Sequence, residues 1–440
     1  MRQAVLRSLR EVFNRPRFRR RALWLVGVCV IGTYLWSSLI ERFLFRRVFA
    51  DFKVFLAGAQ ALEQGRDPYL SFLVQSHYDF APNYLYPPMV AWLVQPLLGI
   101  GVENAALLVL VILQVCVVAF LWLTYRTLRP VSRHEIAFGV ILSLSFGPLF
   151  ANLWNDQVNV VLLPLCAAVL LAYCRGDRWW GGATYGLAMA LKPLQPVMGL
   201  LLFWGRRGRM LAAAVIVGLV VLVIPGPGLA SEFVFKVLPA LSKGTGLGAN
   251  AAPAGFLERL LHPTAFYDAR VQSDLVVNLL SLVVVVSVIA LTWWRLGRRP
   301  RTTSLGRATE MAVAMAASPL ILPVSNSWHL VLLLIPILVL IRVGLANSSG
   351  WVVTAALVSF LFIGPVYYGL ERLISIGFFP SGFAIVNDPV VRIWTESQLL
   401  GMVILWLGCL RALNTVPQRV DKDIASLAPV RNTEAMSGLT

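Results

Sequence analysis

Charged residues are scarce in this chain of 440 residues: Asp, Glu, Lys and Arg make up 13% of it, about half of the roughly 25% usual in a soluble domain. With 58% hydrophobic residues beside it, that shortage excludes a soluble globular enzyme and a disordered chain. Cysteine is sparse as well. Cys29, Cys116, Cys166, Cys174 and Cys409 all lie inside apolar runs, with no C-x-x-C pair. This excludes a disulfide-stapled secreted domain and a zinc site, and leaves five small buried hydrophobes. Walker A, G-x-G-x-x-G, H-E-x-x-H and G-x-S-x-G patterns are absent from any suitable context, so ATP-driven and dinucleotide chemistry have no support. A soluble nucleotide-sugar donor is poorly supported too, because no cytoplasmic domain is there to hold it. Acid is scarcer than base, 21 against 38, for a net charge of +17. In a soluble protein that excess would suggest nucleic acid. In a chain this apolar it asks where the positive charges sit relative to a membrane.

Long apolar runs are abundant. A spanning helix needs about 20 apolar residues, and the sequence predicts an all-α, polytopic membrane protein of about 12 transmembrane helices. They lie near 22–40, 103–125, 135–151, 157–174, 179–191, 194–205, 210–225, 275–294, 308–324, 329–341, 350–368 and 398–411. Eight arginines between Arg2 and Arg21 precede the first run. That run is too long for a signal-peptide core and lacks a cleavage site, so it reads as an uncleaved span with a cytoplasmic N-terminus. With that orientation, 26 of the 38 Lys and Arg residues fall in segments placed inside, the expected positive-inside bias. The short stretch 88–100 begins with Pro87-Pro88 and contains Pro96. It reads as re-entrant, since a full span there would invert everything after it. The pair 179–191 and 194–205, split by Lys192-Pro193, reads as a hairpin that stops short of the far surface. Residues 1–411 form the membrane unit, with outer segments at 41–102, 226–274 and 369–397, and 412–440 is a polar, disordered cytoplasmic tail.

Polar residues cluster on the outer face of this topology. Asp51 precedes Phe52, Phe55, Leu56, Ala59 and Leu62 at helical spacing, and Gly65 ends the pattern. The segment reads as an amphipathic helix lying on the membrane. Asp51 serves either as its N-cap or as a carboxylate able to take a proton from a hydroxyl; the two roles are compatible. Arg66-Asp67-Pro68-Tyr69 is a turn signal. Tyr69 and Tyr86 read as interfacial anchors or as a sugar-stacking wall. Asn152, Asn155, Asp156, Gln157 and Asn159 form either a polar turn or part of a site, with Asp156 as a second carboxylate. A metal there is weakly supported for want of a dense acidic cluster. Lys192 lies deep in apolar sequence, where a cation is expensive. It either snorkels to the interface or counters an anionic lipid phosphate. Trp328 and His329 sit between two spans. A lone His at a span end is either structural or an assisting donor or cation.

Read in order, these motifs resemble the GT-C superfamily of polyprenyl-phosphate-sugar-dependent glycosyltransferases. More narrowly the chain is similar to glycosyltransferase family 87, whose best-known members are bacterial α-1,2-mannosyltransferases of phosphatidylinositol mannosides. The resemblance covers roughly residues 22–345. It is carried by Asp51 in the first outer loop, the turn Gly65, Asp67, Pro68, Tyr69, then Tyr86-Pro87-Pro88, Asp156-Gln157-Val158-Asn159, the run from Gly186 to Lys192-Pro193, and Ser325-Asn326-Ser327-Trp328-His329. Two positions depart from the family pattern: Asp156 stands where the family has Gly, and Trp328 apparently replaces one His of a pair. The resemblance implies a multi-pass plasma-membrane enzyme with both termini cytoplasmic and its site outside. It implies transfer of a sugar, mannose first, from a polyprenyl-phosphate donor to a lipid-linked or glycan acceptor. Asp51 would be the general base, giving inversion in one displacement. Lys192 and His329 would bind the leaving phosphate, and Asp156, Gln157, Asn159, Tyr69, Tyr86 and Trp328 would contact substrate. No cofactor is implied and a divalent metal is left open; the partners are substrates and membrane lipids, without nucleic acid. The alternatives are a polyprenyl-phosphate-arabinose-dependent pentosyltransferase and a lipid or sugar transporter. The clustering of polar groups at one face, and the lack of internal repeats, argue against the transporter.

Overall fold

The structure, a computed structural model, describes residues 16–45, 50–70, 84–242, 245–262, 274–297, 301–375 and 389–416. Helices make up nearly all of its regular structure. Among the described residues there is no β-strand, only one isolated bridge between Asn250 and Asn326.

Six helical segments are long and apolar enough to cross a membrane by length and composition: Trp24–Phe45, Val102–Leu128, Asp274–Leu296, His329–Ala346, Gly350–Leu373 and Arg392–Ala412. Two bent pairs raise the number to eight: Arg133–Leu144 with Gly147–Trp154, bent by 52°, and Gly208–Val223 with Pro227–Leu241, bent by 113°. The remaining runs of the expected twelve differ for physical reasons. Asn159–Cys174, Trp179–Leu191 and Pro196–Trp204 have 16, 13 and 9 residues, fewer than the roughly 20 that hydrocarbon thickness demands. Ser304–Ile321 carries Arg307, Thr309 and Glu310 and is buried along most of its length. A helix enclosed by other helices presents no face to lipid and need not be apolar enough to span. The stretch 88–100 forms a short helix, Pro88–Val94, and a tighter turn, Gln95–Ile100.

Burial separates inner from outer helices. In His329–Ala346, 78% of the apolar window is buried, against 17% in Asp274–Leu296. The outer helices expose Leu275, Leu279, Leu282, Val283 and Val286, and likewise Val111, Ile112, Val115, Val118 and Trp122. Such belts are unfavourable in water and natural against acyl chains.

The helix expected on the membrane surface is present at Ala50–Glu63. It ends in a Schellman turn: Gly65 N–H donates to the Leu62 carbonyl and Arg66 N–H to that of Ala61, with Gly65 at φ +65°. Its apolar stripe is covered differently than the sequence suggested. Phe52, Phe55, Leu56 and Ala59 are buried in protein, the helix packing on Pro88–Val94. Amphipathic periodicity reports that one face is covered and is silent about whether lipid or protein covers it. The outer segment 369–397 is described only in part, and most of the tail 412–440 lies outside the described residues.

The hairpin that carries Lys192 is held by close helix contact. Trp179–Leu191 lies directly against Gly208–Val223, and Gly182 and Gly186 are the points of approach. A Cβ on Gly186 would overlap the Ala214 carbonyl and lie 2.8 Å from the Gly218 nitrogen. Small residues of this kind let helix backbones meet where lipid provides no hydrophobic drive. Gly186→Ala is expected to cost roughly 1–3 kcal/mol by overpacking, read as a lower melting temperature of the purified protein. Gly32→Ala, where a Cβ meets nothing within 4 Å, serves as the control. Equal behaviour of the two variants would contradict the close-contact account.

Candidate functional site

Asp51 lies in the first turn of Ala50–Glu63, where the helix dipole favours negative charge. Its Oδ2 accepts a hydrogen bond from Gln157 Nε2 at 2.5 Å. The same Gln157 accepts from the Tyr86 hydroxyl through Oε1 at 3.3 Å. Above the Tyr86 ring stands the Lys192 ammonium, 4.7 Å from the centroid. Four residues spread from position 51 to position 192 are thereby joined into one path: carboxylate, amide, phenol and ammonium.

Lys192 follows the last residue of Trp179–Leu191 with an extended backbone, φ −165° and ψ 117°. It keeps some accessible surface although protein encloses it. Loss of hydration pushes its ammonium down to about 7, and the nearby charge of Asp51 works in the opposite direction. A lysine so placed gains most from an anionic ligand.

His329 opens the helical segment after Trp328. Its Nδ1 accepts from the Asn326 backbone N–H at 3.2 Å, while its own N–H donates to the Asn326 carbonyl at 2.8 Å. An Nδ1 that accepts carries no proton, so the neutral ring bears its hydrogen on Nε2. The Trp328 indole meets this ring edge-on, with centroids 6.1 Å apart. Asn159 joins the same region from the helix Asn159–Cys174: its Nδ2 donates to Asn152 Oδ1 at 2.8 Å, and Asn152 Nδ2 donates to the Trp328 carbonyl at 2.7 Å.

Two of the sequence candidates occupy supporting positions. Tyr69 is fully buried, and its hydroxyl donates to the Tyr86 carbonyl at 2.8 Å. It braces Tyr86 from behind, and its own amide caps Asp67 Oδ1 in the expected turn. Asp156 is committed elsewhere. Its Oδ2 forms a buried ion pair with Arg42 at 2.5 Å, and Arg42 also donates to the Trp154 carbonyl. Burial pushes the Asp156 carboxyl up to about 6, an effect that Arg42 only partly offsets. Asp156 also has φ +53°, a left-handed conformation that glycine adopts without strain.

Sequence reasoning missed Arg42 as the partner of Asp156. The available signal was an arginine just inside the end of an apolar helix, which requires a counter-charge. It also missed Asn250 and the ion pair of Arg259 with Glu396, for which no local pattern exists. Among the described residues no group of three His, Cys, Asp or Glu side chains is placed to hold a metal ion.

The profile of glycosyltransferase family 87 matches residues 84–323. The chain is 30% identical over 212 residues to a polyprenol-phosphate-mannose-dependent alpha-(1-2)-phosphatidylinositol pentamannoside mannosyltransferase of Mycolicibacterium smegmatis, covering 46% of this chain and 48% of that protein. It is 27% identical over 413 residues to a polyprenol-phosphate-mannose-dependent alpha-(1-2)-phosphatidylinositol mannoside mannosyltransferase of Mycobacterium tuberculosis, covering 89% and 90%. An alpha-(1->3)-arabinofuranosyltransferase of Mycobacterium tuberculosis is 27% identical over 205 residues, covering 44% and 46%. The chain thus spans about half the length of the first and third of these relatives and nearly all of the second.

Replacing Asp156 tests the supporting role. Asp156→Asn removes the carboxylate that faces buried Arg42 and is expected to cost about 3–5 kcal/mol. Asp156→Gly should be more stable than Asp156→Ala by roughly 1 kcal/mol, because only glycine takes the positive φ freely. Thermal denaturation of purified variants reads both; an Asp156→Asn protein as stable as wild type would contradict the pairing.

Proposed function

Since the chain belongs to glycosyltransferase family 87, we propose that it transfers a sugar, mannose first, from a polyprenyl-phosphate donor to a hydroxyl of a lipid-linked or glycan acceptor. The observation that carries this reading is the short path from Asp51 through Gln157 and Tyr86 to Lys192. It links a carboxylate to an ammonium through two side chains, and we assign them as proton acceptor and phosphate-binding cation.

The proposed reaction is a single in-line displacement. The acceptor hydroxyl oxygen bonds to the anomeric carbon while the bond from that carbon to the phosphate oxygen breaks. Asp51 takes the hydroxyl proton, and the polyprenyl phosphate leaves with the bonding electron pair. One displacement inverts the anomeric configuration. Gln157 occupies Oδ2 of Asp51, so Oδ1 is the oxygen assigned to the incoming proton. The ammonium of Lys192 and the Nε2–H of His329 meet the charge that grows on the leaving phosphate. Asn159 and Trp328 flank this position, and Tyr86 forms the wall between the two ends.

In this reading residues 1–411 are the catalytic membrane unit and 412–440 a cytoplasmic tail. The arginine-rich N-terminus lies inside, and the site faces outward at the plasma membrane. Apolar helices of the size described suit a donor that arrives laterally from the lipid. A second reading, pentose transfer from a polyprenyl-phosphate arabinose, is favoured by the arabinofuranosyltransferase match. It keeps the same chemistry and changes the sugar.

Two measurements test the proposal in purified enzyme with a short-chain polyprenyl-phosphate mannose. Asp51→Asn is expected to lower turnover by about 10²–10⁴-fold; wild-type turnover would exclude Asp51 as the base. The second is pH dependence. Lys192 loses its proton as pH rises through about 7, so the donor KM should climb on the alkaline side. Lys192→Arg, which stays charged, should abolish that climb. An identical alkaline rise in Lys192→Arg would assign the titration to another group.

A further inference from the structure

Asn250 is fully buried, and its side-chain amide is satisfied on all sides. Nδ2 donates to the carbonyls of Thr245 at 2.9 Å and Pro323 at 3.2 Å. Oδ1 accepts from the backbone nitrogens of Ala252 at 3.1 Å and Ser325 at 2.9 Å. Around it two chain segments pair in an antiparallel bridge: Ala251 N–H donates to the Ser325 carbonyl and Ser327 N–H to the Ala249 carbonyl, each at 2.9 Å. The residue enclosed by this bridge on the far strand is Asn326, whose own N–H holds Nδ1 of His329.

The clamp has its own anchor. Arg259, with no exposed surface, donates from one nitrogen to the carbonyls of both Leu247 and Asn250 at 2.9 Å. Its remaining fork meets Glu396 through two bonds of 2.9 Å. A bidentate pair of this kind fixes direction as well as position. On the other side Gly255 lies so close that a Cβ there would sit 2.6 Å from Asn250 Nδ2.

From this connected set we infer that Asn250 is a positioning residue for His329, setting the orientation and tautomer of its imidazole from the second long outer segment. The inference rests on the role given above to His329. The chain of contacts runs from Glu396 through Arg259 and Asn250 to Asn326 and the His329 ring. The side chains of Arg259 and Asn250 are taken up by bonds within the protein, so neither is assigned contact with substrate. A bridge of two backbone hydrogen bonds would slide or twist freely at a loop end. The four bonds of the Asn250 amide remove that freedom.

Two variants perturb the clamp differently. Asn250→Ala deletes all four side-chain bonds. Gly255→Ala deletes none and pushes the amide from behind, so it remains informative if the first variant folds poorly. The chain holds four histidines, so 15N-histidine labelling with His329→Gln gives the assignment of the His329 ring. The expected wild-type signature is a neutral ring protonated on Nε2, with Nδ1 accepting. In Gly255→Ala, and in Asn250→Ala where it is monodisperse, that signature should give way to a mixture of tautomers. An unchanged signature in both would overturn the inference.

A double-mutant cycle supplies the second readout. Each clamp variant should lower kcat by roughly ten- to a hundred-fold, with donor KM nearly unchanged. In a His329→Gln background the same changes should have little further effect, because they act through the ring. Multiplicative losses in the double variants would overturn the inference. Should wild type transfer no sugar while the tautomer shifts as expected, the functional reading fails and the positioning role stands.

Discussion

The ion pair between Arg42 and Asp156 lies under the whole candidate site. Both side chains are inaccessible to solvent, and each would be costly to bury alone. Arg42 also grips the Trp154 carbonyl. The first apolar helix is thereby tied to the turn that closes Gly147–Trp154. Asp156 adopts its left-handed backbone in that turn, and the next residue, Gln157, reaches Asp51. A shift of the turn by one hydrogen-bond length would leave Asp51, the proposed base, without its orienting amide. The strained conformation and the buried charge therefore act together: the pair holds a non-glycine residue where glycine would be comfortable.

A second constraint comes from the low polarity around Lys192. Removing water weakens the ammonium's hold on its proton, and it also strengthens every charge interaction that remains. Asp51 and the face of the Tyr86 ring partly compensate the cation, and among the described residues no carboxylate contacts it directly. In the proposed reaction such an electrostatic site is prepared for a charge that appears on the leaving group. The tight contact at Gly186 matters for the same reason, because it fixes the helix whose end delivers Lys192.

Much of this was legible in the sequence, and the parts that were not share one cause. The helix at Asp51 could be read because apolar residues recur at helical spacing and Gly65 closes the pattern. Lys192 could be read because a cation in apolar sequence is conspicuous. The number of spans could not be read from runs alone. Apolar composition does not separate a helix that faces lipid, such as Asp274–Leu296, from the short buried helix Asn159–Cys174. The covering of Phe52 and Phe55 by protein was hidden for a similar reason. Arg42 with Asp156, and Arg259 with Glu396, are partners 114 and 137 residues apart. No local pattern encodes such a contact, so the sequence offered Asp156 as a substrate carboxylate and did not tie it to its counter-charge.

The resemblance puts Trp328 where the family pattern has one histidine of a pair, and that changes how work is divided in the proposed reaction. Two histidines can share a proton between donor and cation roles. Here Trp328 packs edge-on against the His329 ring, and Asn326 holds Nδ1 as an acceptor. Protonating the ring would set two N–H groups against each other, so the lone histidine is kept as a neutral donor. In the proposed reaction the positive charge for a leaving phosphate then falls to Lys192. One residue supplies charge and the other supplies direction. On that proposal Lys192 can sit near its own point of titration while His329 keeps the hydrogen bond assigned to the phosphate.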